Sequence, residues 1–181
     1  MAVAPIPPLV SAEEYLGSSY WPDMEYVDGV LVERGMPTFA HGLLQMILIQ
    51  YLGRFQNALG FRPVPEVRTQ IVERSRYRIP DIMLCPVPLP PGKIMATIPW
   101  AIIEILSPDD RMPAQLDRFR DYQQIGIRHI LLLDPERLVA FRFEDGSLLR
   151  TQFTSLDLPS GPLPFDSAAL FRQLVDEQRE S

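Results

Sequence analysis

The sequence predicts an α+β domain, a mixed β-sheet flanked by helices and edged by β-hairpins. Two short, unbroken apolar runs, Ile82-Met83-Leu84-Cys85 and Ala101-Ile102-Ile103-Glu104-Ile105-Leu106, have the composition of strands covered on both faces. Two Asp-Gly pairs, Asp28-Gly29 and Asp145-Gly146, sit between strand-like segments and readily take the positive φ angles of a two-residue hairpin turn. The elements run helix, hairpin, long helix, several strands, helix, strand, hairpin, helix, so the sheet is mixed and the helices pack on it.

Each element has a local cause. Pro5 to Pro8 reads as an extended arm, and Ser11 then caps a short helix, Ala12 to Leu16, with Glu14 placed to complete the cap. Met24 to Val27 and Val30 to Glu33 flank Asp28-Gly29 as the first hairpin. Between Thr38 and Ala58 the apolar residues Leu43, Leu44, Ile47, Leu48, Tyr51, Leu52 and Phe55 recur at helical spacing, and Gly60 supplies a stop. Val67 to Val72 alternates like a half-exposed strand. Pro86 to Pro99 holds five prolines and Gly92 and reads as a rigid loop between the two apolar strands. Pro113 suits a first helical turn, and that helix runs to Ile125 and ends at Gly126. Ile130 to Leu133 is a further apolar strand, so Ala101 through Leu133 has the form of a right-handed crossover. Val139 to Phe143 and Ser147 to Phe153 flank Asp145-Gly146, and Ser167 to Glu177 closes the chain as an amphipathic helix.

At 181 residues and 46% hydrophobic, residues 1–181 are expected to fold as one domain around one core. There is neither a membrane-length apolar run nor a secretory leader, so a soluble, cytoplasmic protein is expected. Cys85 is the only cysteine, which excludes an internal disulfide and reads as a small buried hydrophobe. A formal charge of -6 argues against a wholesale electrostatic grip on nucleic acid and leaves room only for a local basic patch. Lys93 is the single lysine, and it lies in the proline-rich loop.

Glu104 is the anomaly in this pattern. An ionised carboxylate inside an apolar strand costs several kcal/mol unless a cation or hydrogen-bond donors compensate it. Asp81 opens the preceding apolar strand after Pro80, so adjacent strands would each present a carboxylate near one end of the sheet. Two carboxylates make a hard-cation site, suited to Mg²⁺ or to Mn²⁺, and Mg²⁺ so held activates water for phosphodiester hydrolysis. The other reading of the pair is a buried ion pair with Arg118 or Arg78 and no metal.

Pro80-Asp81 followed by Ile103-Glu104-Ile105 resembles the PD-(D/E)XK nuclease core. Tyr26-Val27-Asp28-Gly29-Val30-Leu31-Val32-Glu33, His41, Pro80-Asp81, Ile103 to Pro108, Tyr122, Gly126 and Asp134-Pro135, in that order, carry a narrower likeness. Together they resemble the Uma2 family of restriction-endonuclease-like bacterial proteins. The resemblance implies a restriction-endonuclease-like core, Asp81 and Glu104 as metal ligands, and Glu25 as a further acidic residue on or beside the first core helix. It implies a lysine two residues after Glu104, where Leu106 stands; in many Uma2-like sequences the lysine lies four residues before the tyrosine, where this chain has Arg118.

Arg118 and Tyr122 share one helical face and can reach toward the strand ends. Arginine keeps the charge but cannot deprotonate, so it can stabilise a phosphate while serving poorly as a water-orienting amine. The function implied is a Mg²⁺-dependent DNA endonuclease acting as a homodimer, with Asp81, Glu104 and Arg118 as its catalytic groups. The alternative is a family member that has lost catalysis and serves as a nucleic-acid or protein binding module. His41 reads as a helix-end or surface histidine, against a place beside the metal or substrate. His129 and Tyr122 read as structural, and Asp109 and Asp110 as acidic residues favouring a helix N-terminus.

Overall fold

The structure is a computed structural model that describes residues 8–180. The expected arm at Pro5 to Pro8 therefore lies almost wholly outside the described residues. Helix α1 (Ala12–Gly17) starts at Ser11, whose Oγ accepts the Glu14 N–H at 3.1 Å. Strands β1 (Met24–Val27) and β2 (Val30–Glu33) form the first hairpin, with Asp28 and Gly29 at φ 49° and 93° as a tight turn demands.

The long helix is two. Helix α2 (Phe39–Gly53) is capped by Thr38, and after it Arg54 N bonds to Tyr51 O and Phe55 N to Leu52 O, tighter bonds that end the helix before α3 (Gln56–Leu59). Gly60, at φ 66°, then turns the chain. Strand β3 (Phe61–Pro65) was masked in the sequence by its two prolines, which an edge strand tolerates. Strands β4 (Thr69–Val72) and β5 (Arg76–Arg78) follow, then β6 (Ile82–Pro86) and β7 (Ala101–Ile105). Helix α4 (Met112–Gln124) leads to β8 (His129–Asp134) and the hairpin β9 (Val139–Glu144) and β10 (Ser147–Arg150). A small hairpin, β11 (Ser155–Leu158) and β12 (Gly161–Pro164), precedes α5 (Ser167–Glu180).

The expected α+β architecture is found, with strand pairing divided among three sheets. The central one has six strands in the order β10-β9-β8-β7-β6-β3, in which β7 and β8 are parallel and the other pairs antiparallel. The parallel pair is joined through α4, as a crossover requires. A four-stranded sheet, β2-β1-β5-β4, and the β11-β12 pair lie outside it.

Alternation along the central strands divides the core. Ile82, Leu84, Ala101, Ile103 and Ile105 pack with Leu44, Leu48 and Leu52 of α2 and with Leu170 and Leu174 of α5. Met83, Cys85 and Ile102 pack with Phe119 and Tyr122 of α4. The central sheet is covered on both faces, which is why its strands read as continuous apolar runs. Tyr15, Tyr26 and Tyr77 form a separate cluster where α1 lies on the four-stranded sheet.

Candidate active site

The β6–β7 register brings the two carboxylates together. Ile82 pairs with Ile103 in antiparallel sense, so one step further sets Asp81 opposite Glu104. Both are buried, 4% and 1% exposed. The Asp81 N–H points at Glu104 Oε2 at 3.4 Å, and Asp81 Oδ2 accepts the Ile105 N–H at 2.7 Å. The side chains thus continue the ladder where the backbone pairing ends.

Three elements supply the remaining partners of Asp81. Arg34, just past β2, donates from Nη2 to Asp81 Oδ1 at 2.6 Å. His41, in the first turn of α2, holds Nε2 3.5 Å from the same oxygen and sets Nδ1 3.0 Å from Ser107 Oγ. Gln45, one helical turn on, donates to the Asp81 carbonyl at 3.0 Å.

Glu104 has the parity of Ile102 and so faces α4. There Tyr122 OH donates to Glu104 Oε1 at 2.6 Å, and Arg118, one turn earlier on the same helix face, brings Nη1 to 3.9 Å from Glu104 Oε2. Arg118 leans toward Glu25 instead: its Nε stands 3.2 Å from Glu25 Oε1, an ion pair without hydrogen-bond alignment, since that N–H has no aligned acceptor. Glu25, fully buried on β1, also takes Arg78 Nη1 at 2.8 Å and the Ile79 N–H at 3.0 Å. Arg78 and Arg76 both continue to Asp121 of α4.

These contacts split the charges of the pair. Burial and the neighbouring Asp81 charge push the Glu104 carboxyl up to about 8, so on its own it is protonated at neutral pH. Burial would also raise Asp81, but His41, Arg34 and the Ile105 N–H outweigh it and hold this carboxyl below its ordinary range. Glu25 is likewise held low against burial, by Arg118 and Arg78. Two adjacent carboxyls driven in opposite directions carry one negative charge between them.

Among the described residues no group of three or more His, Cys, Asp or Glu is placed to hold a metal ion. The pair nonetheless suits a hard cation that takes most of its ligands from water and substrate. Glu104 Oε2 is under-satisfied, with only a long N–H contact at 3.4 Å and a guanidinium at 3.9 Å, and a positive charge beside it would cancel the repulsion that keeps Glu104 protonated. Asp81 opens on a cavity of about 570 Å³ whose wall also includes Arg34, His41 and Arg118. Glu104 is absent from that wall, although Asp81 and Arg118 beside it are part of it.

Six residues singled out from sequence, Glu25, His41, Asp81, Glu104, Arg118 and Tyr122, therefore belong to one connected network. Several expectations are corrected. His41 is at a helix end, in the first turn of α2, but not at the surface: it is 5% exposed, with its two ring nitrogens facing Asp81 and Ser107. Glu25 lies on β1, in the expected first hairpin, but it meets Arg118 and Arg78 rather than Asp81. Arg78 pairs with Glu25 and Asp121, while the direct cation partner of Asp81 is Arg34, which no local signal marked. Asp110 does not cap α4 but accepts the Ser107 N–H at 2.8 Å, fixing the turn after β7. Tyr122 packs as expected and also holds Glu104; His129 is buried, with Nε2 2.8 Å from the Asp157 carbonyl.

Comparison with known proteins adds the wider context. A search of curated proteins finds no match. The crystal structure of a "putative nuclease" of the DUF820 group from Anabaena variabilis superposes with a TM-score of 0.76 at 21% identity, over 91% of this chain and 99% of that one, which is a likeness of fold. A DrdV–DNA complex aligns with a TM-score of 0.38 at 14% identity, over 70% of this chain and 11% of that one, too loosely to bear on the site. The Uma2 family, described as "putative restriction endonuclease", matches residues 12–170. That span holds both carboxylates, all of α4 and every strand, and on it the chain belongs to the Uma2 family.

Proposed function

We propose that this Uma2 protein is a Mg²⁺-dependent endonuclease that hydrolyses phosphodiester bonds in DNA at the Asp81–Glu104 pair, with residues 1–181 acting as one domain. The observation that carries the reading is the pair itself: two buried carboxyls in register on adjacent strands, beside a cavity large enough for a nucleotide. Asp81 and Glu104 would hold the ion, and Mn²⁺ suits the same oxygen donors. The chemistry Mg²⁺ supplies at such a pair is neutralisation of phosphate charge and activation of water for attack on phosphorus. The protein's part is placement. The Ile105 N–H and His41 fix Asp81, Tyr122 fixes one oxygen of Glu104 and leaves the other without a close hydrogen bond, and Arg118 lies on the cavity wall where it can stabilise phosphate charge. By resemblance to restriction enzymes the working form is a homodimer, which sedimentation at micromolar concentration would test.

The ion pairs favour a second reading. Arg34 already sits 2.6 Å from Asp81, and Arg118 is shared between Glu25 and Glu104, so the carboxylates are balanced without a metal. In that reading the chain binds nucleic acid or protein and cuts nothing. Calorimetric titration of Mg²⁺ and Mn²⁺ into the protein and its Glu104→Ala and Glu104→Gln variants separates the two. Binding that disappears in both variants, followed by metal-dependent cleavage of DNA, is expected. Absence of binding, even with DNA present, would make the carboxylates structural and leave the binding module.

A further inference from the structure

The same cavity has an outer edge that the carboxylates do not use. Trp21 is 100% exposed there, beside half-buried Tyr20, while Met36, 64% exposed, also contributes to the wall. A fully exposed indole is unusual, because its large apolar face gains nothing from water.

The segment bearing Trp21 is held in place from below. Arg68 donates from Nη1 to the carbonyls of Tyr15 and Ser18, at 3.0 and 3.1 Å, and bonds Asp23 on the far side of Trp21. Its guanidinium also lies 4.4 Å from the Tyr15 ring centroid and 5.8 Å from that of Tyr20. One arginine thus pins the chain on both sides of Trp21, so the backbone that bears the indole is held while the ring itself stays unpacked.

Charge narrows what could seat there. Three arginines and four carboxylates line the cavity, so with the chain's net charge of -6 a polyanion gains little from electrostatics alone. Stacking on an aromatic face is the interaction that compensates, since every base has a π-face, and it needs a base free of its partner. The volume of about 570 Å³ is on the scale of a small ligand such as a single nucleotide.

We propose that Trp21 is a base-stacking subsite, on which an unpaired nucleotide of single-stranded nucleic acid seats its base while its backbone runs inward to Asp81. This rests on the nuclease reading for its orientation and names the substrate class of that site: a single strand, not a closed duplex. Arg68 is a positioning residue that holds the stacking edge.

Trp21 and Trp100 are the only tryptophans, and Trp100 is partly buried against the core, so emission reports the subsite directly. The probe is a short oligothymidylate, titrated in EDTA so that cleavage plays no part. Quenching of Trp21 emission, retained in Trp100→Phe, is expected, with affinity falling roughly tenfold or more in Trp21→Ala. Equal affinity in Trp21→Ala would overturn the proposal, as would tighter binding of a blunt duplex than of the single strand. A Trp21→Ala change that alters only sedimentation would also overturn it and assign the indole to a second copy of the chain. Because binding is read without metal, an inactive protein can still support the subsite. Conversely, unaltered single-strand cleavage by Trp21→Ala would sink it and leave the nuclease reading standing.

Discussion

Arg118 Nη1 stands 3.9 Å from Glu104 Oε2, beyond hydrogen-bond reach, while its Nε lies 3.2 Å from Glu25 Oε1. This arginine is thus drawn away from the carboxylate pair by a third, fully buried carboxylate, Glu25. Lysine has a compact ammonium on a flexible stem and cannot span both partners as the guanidinium does. Glu25 would keep Arg78 and the Ile79 N–H. Arg118→Lys is therefore expected to fold with a modest loss of stability and to raise metal-dependent cleavage several-fold. Arg118→Met, which removes the charge and leaves the buried Glu25 carboxylate one cation short, is expected to cost about 3–5 kcal/mol in denaturant unfolding. A cleavage rate unmoved by lysine would place Arg118 among the structural ion pairs.

The metal-free protein should lose stability as pH rises through neutrality. Glu104 titrates near 4.5 when unfolded but near 8 when folded, so between those values only the folded state holds the proton. Stability then falls with rising pH, by at most about 1.4 kcal/mol per unit for one group, and levels off above the folded value. Glu25 acts in the opposite sense: its folded value is depressed, so its contribution is present above its ordinary value and is lost as pH falls through the folded one. Calorimetric melting in EDTA from about pH 5 to about pH 8 reads the Glu104 decline, and Glu104→Gln should flatten it. A decline that persists in the glutamine variant would assign it to another group.

Divalent metal should displace that proton. At pH 7, below the folded value of about 8, Glu104 is mostly protonated, and a carboxylate must ionise to bind a cation. Titrating Mg²⁺ in buffers of different ionisation enthalpy should show release of close to one proton per ion bound. Binding without proton release would mean that the ion sits on Asp81 alone.

What sequence could reveal followed from the range of each interaction. The hairpins at Asp28-Gly29 and Asp145-Gly146, the covered strands β6 and β7, and α4 were legible because turn chemistry, apolar runs and helical spacing are local. The same locality placed Arg118 and Tyr122 on one face and paired Asp81 with Glu104 across a single strand junction. Strand β3 was hidden by Pro63 and Pro65, β12 by Pro162 and Pro164, and the end of α2 depends on bonds no composition signals. The electrostatic frame was equally hidden. Arg34 reaches Asp81 across 47 residues and Arg78 reaches Glu25 across 53, so only the folded sheets reveal which arginine neutralises which carboxylate.

Arg34 provides the remaining test, because it occupies the side of Asp81 that faces the cavity. Its Nη2 donates at 2.6 Å to Asp81 Oδ1, while the other oxygen is held by the Ile105 N–H. A cation approaching Asp81 must share that oxygen with a guanidinium of the same sign. Arg34→Met keeps most of the apolar stem and removes the charge, with Asp81 still supported by Ile105 and His41. The variant is expected to bind Mg²⁺ about tenfold tighter, a change of about 1.4 kcal/mol, while losing about 1–3 kcal/mol of metal-free stability from the broken charged hydrogen bond. Calorimetry and denaturant melts of the same preparation read both. Weaker Mg²⁺ binding in the variant would show that Arg34 aligns Asp81 for the ion rather than opposing it, and unchanged binding would put the ion elsewhere than at Asp81.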